Sequence, residues 1–233
     1  MIRLENVSKV FGTGNAGVDD VSLMVDTGEF VFLVGHTGSG KTTLLRMLIK
    51  DVIPTAGAIT IDDFDVTNLP NHQLPHLRKK IGVIFQDLKL LSDRTIYENV
   101  LLPMQVAGLE LGEAKNRAEE LLDQVGLISH RDKFPVQLSG GELQRVAIAR
   151  SLTLAPDILL ADEPTGNLDP ETAFEIVELL SAINHHGTTI IMATHNPDIV
   201  KKHKRRVITL QKGKIIKDEG QEKSDTTQKG ATN

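Results

Sequence analysis

Eight residues decide most of what this chain can be. Gly35-His36-Thr37-Gly38-Ser39-Gly40-Lys41-Thr42 fits the pattern G-x-x-x-x-G-K-[ST]. The flanks matter more than the pattern. Phe30 to Val34 is a continuous apolar run bounded by Gly28 and Gly35, which suits a parallel strand buried on both faces. Thr43 to Ile49 has helical spacing, with Leu44, Leu45 and Leu48 on one side. In a strand–glycine turn–helix unit the backbone N–H groups can turn inward around phosphate oxygens. The helix start adds its dipole and unpaired amides. Lys41 would supply a point charge to β- and γ-phosphates, and the Thr42 hydroxyl can ligate Mg²⁺. Gly35, His36, Thr37, Gly38, Ser39, Gly40, Lys41, Thr42 and Thr43 are therefore candidate phosphate-binding residues. The plainer reading is a turn that binds nothing; the flanking strand and helix argue against it.

A second element fits the same chemistry. Ile158 to Ala161 is apolar and ends abruptly in Asp162-Glu163, where a parallel strand reaches its carboxyl edge, the ligand-binding edge of α/β sheets. Asp162 would hold Mg²⁺, through water, because that ion keeps much of its hydration shell. Glu163 would orient or deprotonate an attacking water. An acidic pair at a helix start is the plainer alternative. Farther upstream, Ser139 to Glu142 spells an S-x-x-E capping box. A cap does not explain Gly140 and Gly141 in the first turn, where each costs about 1 kcal/mol relative to Ala. Glycines there let a phosphate approach the helix start closely.

The rest of the chain alternates. Short strands are expected at Val21 to Val25, Ile59 to Ile61, Ile81 to Phe85 and Thr189 to Ala193, and a closing hairpin at Val207 to Leu210 and Lys214 to Ile216. Helices are expected from Val100 to Val106, Glu113 to Val125, from Glu142 onward, Thr172 to Asn184 and Asp198 to Lys202. Gly12, Gly14 and Gly17 read as loop punctuation. The pattern is α/β with a mostly parallel sheet, interrupted by a helical insertion at about 87–135. Residues 1–217 form one domain on this reading, and 218–233 form a polar tail without fixed structure.

Composition excludes several classes. The 233 residues contain no Cys, so disulfide frameworks, thiolate zinc sites and thiol nucleophiles are out. Net charge is −5 and aromatics are 3%, which argues against a nucleic-acid partner. No stretch of 18 apolar residues exists, and the N-terminus has no apolar signal region, so a cytoplasmic location is expected. From Lys201 to Lys217 there are eight Lys or Arg and no Asp or Glu. That run reads as a solvated helix face and strand edge, or as a face turned to anionic lipid headgroups.

Taken together, the motifs resemble those of the nucleotide-binding subunits of ABC transporters, over about residues 1–217. They come in that family's order: the phosphate loop, Gln86, Leu138 to Glu142, Asp162-Glu163, Asn167-Leu168-Asp169, and His195. The resemblance implies a P-loop NTPase fold of ABC type, with an N-terminal antiparallel β subdomain. It implies Mg²⁺-dependent hydrolysis of ATP to ADP and phosphate, and a head-to-tail homodimer that sandwiches two ATP molecules. Ser139, Gly140 and Gly141 would then meet the γ-phosphate of ATP held by the other subunit. Gln86 would reach Mg²⁺ and the attacking water, and His195 would hydrogen-bond the γ-phosphate. Asp169 would cross the interface, Phe11 would stack on adenine unless it is simply core, and Val18 would pack near the same ring. His36, Thr37 and Leu143 stand where Pro, Ser and Gln or Arg are more usual in the family.

Within the family, Asp162 to Asp169 resembles the lipoprotein-release, macrolide-export and cell-division subgroup, and Phe85 to Val100 resembles the cell-division members. That implies an integral membrane partner, a peripheral place on the inner face of the bacterial cell membrane, and an indirect link to cell-wall hydrolases. An export-pump partner is the alternative. Leu90, Leu91, Ile96, Tyr97 and Leu101 are candidates for a groove that receives a helix of the partner, or for the insertion's own core. Soluble relatives with the same heads would need a coiled-coil tract between Gln86 and Ser139, and no heptads occur there.

Overall fold

The computed structural model describes residues 1–12 and 16–220. Strands β1 (Ile2–Val10) and β2 (Ala16–Val25) lead to β3 (Phe30–Val34), the loop 35–40 and helix α1 (Lys41–Leu48). Strands β4 (Ala56–Ile61) and β5 (Phe64–Asp65) precede α2 (Leu74–Lys79) and β6 (Ile81–Ile84). Helices α3 (Ile96–Val106), α4 (Leu111–Gln124) and α5 (Gly140–Ser151) follow. The chain closes with β7 (Ile158–Asp162), α6 (Pro170–His185), β8 (Thr189–Thr194), α7 (Pro197–His203), β9 (Arg206–Gln211) and β10 (Lys214–Glu219).

Two sheets result. One is antiparallel, in the order β2-β1-β4-β5; the other has six strands in the order β10-β9-β3-β8-β7-β6. In the second, β9, β3, β8, β7 and β6 run parallel and only β10 is antiparallel. The expected fold class, an α/β core with an antiparallel β subdomain and a helical insertion, is the one observed.

Side-chain alternation along the central strands builds two cores from one sheet. Val31, Leu33, Ile158, Leu160, Ile191 and Ala193 face α1 and the antiparallel sheet. Phe30, Phe32, Leu159, Ala161, Ile190 and Met192 face α6 on the other side. All of β7 and β8 is buried, which is why Ile158 to Ala161 and Ile190 to Ala193 read as continuous apolar runs. A third core joins α3, α4 and α5 through Ile96, Val100, Met104, Leu121 and Val146.

Several boundaries differ from those expected, each for a local reason. Helix α3 starts at Ile96 because Thr95 and Glu98 form a capping box there. Gly17 lies inside β2, while Gly14 is outside the described residues. Strand β5 and helix α2 had no apolar pattern to announce them. The polar end begins later than 218: Asp218 lies in β10, paired to the guanidinium of Arg206, and 221–233 are outside the described residues. Among the described residues no helix is long and apolar enough to cross a membrane.

Candidate active site

The phosphate loop sits where β3 hands the chain to α1. Gly40 caps α1 in a left-handed conformation (φ 109°), and a Cβ there would strike the Gly17 carbonyl. Only glycine satisfies both demands. Lys41 then points back into its own loop and is only 6% exposed. Its ammonium donates to the Gly35 carbonyl at 2.8 Å and the His36 carbonyl at 3.4 Å. The same Nζ lies 3.3 Å from Glu163 Oε1.

Strand β7 delivers the two carboxylates to different places. Alternation after Ala161 turns Asp162 to the α1 side, where it is buried. Burial pushes its carboxyl above the usual range, and a hydrogen bond from Thr42 acts against that. Glu163 takes a left-handed φ of 50° and donates its backbone N–H to the Ala193 carbonyl at 3.0 Å. This kink swings its side chain across to the end of β8, where Oε2 lies 2.8 Å from His195 Nδ1 and accepts the His195 N–H at 3.3 Å. Lys41, Glu163 and His195 thus form a linked trio at the mouth of one cleft.

That cleft has a volume of about 410 Å³, lined by Phe11, Gly17, Thr37 to Thr43, Gln86, Glu163 and His195. Residues 35 and 36 complete the loop beneath it. Two buried oxygens, Ser39 Oγ in the loop and Asp162 Oδ1 at the end of β7, have no hydrogen-bond partner among the described residues. Such orphaned groups are costly, and here both adjoin a loop shaped for phosphate. Thr42, Asp162 and Gln86 offer only oxygen donors of the kind Mg²⁺ prefers, so the unpartnered carboxylate oxygen fits a cation. Among the described residues no group of three or more His, Asp or Glu is placed to hold a metal ion.

Val18 is not where the resemblance put it. It is fully buried (0% exposed) in the core beneath β2, because strand alternation turns it inward and leaves Gly17 on the cleft. Phe11 does line the cleft and is 41% exposed, with Lys9 over its ring.

Ser139, Gly140, Gly141 and Asp169 lie elsewhere on this chain. They line a second cleft of about 320 Å³ with Glu142, Arg145, Asn167 and Thr172, and it shares no lining residue with the first. Ser139 caps α5 in a closed box: Glu142 accepts both its N–H and its hydroxyl at 2.7 Å. Asp169 caps α6 through Glu171 and Thr172. Of the proposed groove residues, Ile96 and Leu101 are buried in the insertion's core, with Leu90 and Tyr97 packed on it. Leu91, with Leu102, Pro103, Val83, Phe85 and Arg78, lines a groove of about 580 Å³ between the insertion and the six-stranded sheet. The helical phase of α3 selects Leu102 over Leu101.

The basic run is smaller than its composition suggests. Arg206 bonds Glu29 and Asp218, Lys214 pairs with Asp19 and Lys217 with Glu219, so part of the run is neutralised within the chain.

A phosphate loop joined to a carboxylate-bearing strand in this sheet order, with a separate Ser-Gly-Gly helix start, defines a class. The ABC transporter family model matches residues 18–166, and the chain belongs to that family. Among relatives, the cell division ATP-binding protein FtsE of Bacillus subtilis is 45% identical over 219 residues, covering 94% of this chain and 96% of its own length. FtsE of Escherichia coli is 44% identical, covering 92% of this chain and 97% of its own. Among solved structures, the dimeric post-hydrolysis ATP-binding cassette MJ0796 bound to ADP and Pi is 36% identical with a TM-score of 0.86, covering 94% of this chain and 98% of its own.

Proposed function

We propose that this chain is the ATP-hydrolysing subunit of a membrane-bound complex acting in cell division, an FtsE-like protein. One observation carries the reading: identity of 43–45% to FtsE relatives from several bacteria runs along nearly the whole chain rather than through the phosphate loop alone. It is an ATPase of the ABC type.

In the mechanism, amides of residues 38–42 and the start of α1 receive the triphosphate, with the adenine against Phe11. Lys41 exchanges its contact with Glu163 for phosphate oxygens. Glu163, released from the lysine, orients the attacking water and takes its proton, while His195 faces the γ-phosphate. Thr42, Asp162 and Gln86 would hold Mg²⁺, which when bound neutralises phosphate charge. Ser139, Gly140 and Gly141 act on the nucleotide of a second copy, and Asp169 lies at the same interface. The separation of the two clefts on one chain supports this reading, since neither alone surrounds a triphosphate. A bias from 1:99 to 99:1 between open and closed dimers needs about 5.5 kcal/mol of differential binding, within reach of two bridging ATP molecules.

The partner proposed is an FtsX-like integral membrane subunit whose short cytoplasmic helix enters the groove at Leu91 and Leu102. Through it dimer closure would control cell-wall hydrolases, and the chain itself would sit peripherally on the inner face of the membrane. Co-purification from detergent extract tests this. An FtsX-like protein together with ATP-dependent phosphate release is expected; a pump-type membrane protein in its place would overturn the division assignment and leave the ATPase standing.

A further inference from the structure

Gln86 is carried by a loop with an unusual backbone. Leu88 and Lys89, two and three residues beyond it, both adopt left-handed conformations (φ 54° and 51°), which side chains other than glycine rarely take. Successive residues of this kind persist only where the surroundings hold them. What holds them comes from another element. Arg150, in the last turn of α5, donates from Nη2 to the Leu88 carbonyl and from Nη1 to the Lys89 carbonyl at 2.6 Å. Its planar fork suits two adjacent acceptors, which a single ammonium cannot span. Burial disfavours the charge on this guanidinium, and no carboxylate pairs with it among the contacts described. The loop's far end is fixed separately, by Asn99 bonding the backbone of Leu91, Arg94 and Thr95.

Helix α5 begins at Gly140, ten residues or about 15 Å before Arg150 along its axis. Arg150 also lines the groove that holds Leu91 and Leu102. We infer that Arg150 is a positioning residue that clasps the Gln86 loop to α5, so that the groove, Gln86 and the Ser139 cleft move as one body. The inference rests on the ATPase reading above and extends it. Arg150 does not line the phosphate-loop cleft; it sets where Gln86 stands.

The test uses the full chain with Arg150→Met, which keeps the length and removes both donors, and with Arg150→Lys, which keeps the charge without the fork. Amide hydrogen exchange is expected to rise at residues 88–91 in both variants, more in the first, with β8 unchanged. ATP affinity by calorimetry should stay within about threefold, while kcat falls about 10- to 100-fold, the scale of a misplaced group near the reacting atoms. Millimolar guanidinium should restore part of the rate to Arg150→Ala and none to wild type. Unchanged exchange at 88–91 in a folded variant would overturn the clasp. So would parallel losses of affinity and thermal stability without rescue, the pattern of a merely structural residue. If the wild-type chain hydrolyses no ATP, the ATPase reading fails, and the exchange measurement alone decides the clasp.

Discussion

The two clefts solve opposite problems. The cleft at the phosphate loop is rich in charge held under tension: a nearly buried lysine is neutralised by a glutamate that also bonds a histidine, and two oxygens below them have no partner. At Ser139 the polar groups are satisfied within the same turn, and only the glycines are unexplained by folding. On the proposed mechanism the first cleft exchanges these partners when a nucleotide arrives. The second is finished as structure and open as surface, as expected of a face completed by another molecule. Mutations should separate the two: changes in the first alter chemistry or binding within one chain, and changes in the second leave ATP binding within one chain intact while altering what two chains do together.

The largest expected effect is on chemistry. Glu163→Gln removes the proton acceptor but keeps a polar side chain beside Lys41 and His195. Turnover should fall by about 10²–10⁴-fold, the usual worth of general-base catalysis, with ATP binding retained. ATP-loaded dimer should then accumulate, visible by light scattering. A variant that still hydrolyses ATP at the wild-type rate would remove Glu163 from the mechanism.

Lys41→Ala should come next. It deletes the charge that meets the phosphates, and truncating one partner of a buried charge pair, here the ammonium against a phosphate oxygen, typically costs about 2–5 kcal/mol. ATP affinity measured by calorimetry should drop roughly 30-fold or more. Unchanged affinity would mean that the loop amides suffice and that the Lys41–Glu163 contact is incidental.

Gly140→Ala tests the other cleft. A Cβ at Gly140 would meet only Leu168, at an ordinary 3.5 Å, so the fold accepts it, and alanine in a helix is favoured by up to about 1 kcal/mol. Thermal stability should rise slightly while ATPase activity falls, about 10-fold, because the added methyl stands where a second copy's phosphate would approach. Gly141→Ala is a poorer probe, since its Cβ would press on Thr172. If Gly140→Ala gains stability and keeps full activity, the glycines serve folding alone.

How much of this was legible in the sequence follows from distance along the chain. The phosphate loop, the Ser139 capping box and the strands β3, β7 and β8 are local patterns, set by burial on both faces or by bonds within one turn. The linked trio of Lys41, Glu163 and His195 joins three elements, and only its members, not their contacts, could be named. Arg150 carries no local signal, for its acceptors lie about sixty residues upstream. Arg206 looked like part of a basic face, although Glu29 and Asp218 neutralise it from opposite ends of the chain. Val18 differs from its expected place by one residue of strand phase, and for Leu101 the alternative of the insertion's own core is the one observed.

The smallest effect concerns acid. Glu142 accepts two hydrogen bonds from Ser139, and these hold its carboxyl below the ordinary value of 4.5. A carboxylate whose folded pKa is depressed adds stability that is present above its unfolded value and is lost as pH falls through the folded one. Glu98 in the α3 box and Asp169 at the start of α6 are lowered for the same reason. Glu142→Gln keeps an acceptor for the Ser139 N–H and removes the charge. It should be slightly less stable than wild type at pH 7, and the two unfolding curves should converge as pH drops below about 4.5, where the wild-type carboxyl protonates. ATP affinity in the first cleft should not change at any of these pH values relative to wild type, since Glu142 does not line it. Parallel stability curves would show that the box contributes through geometry alone. A loss of ATP affinity would mean that the two clefts communicate within a single chain, and the contrast between them would have to be redrawn.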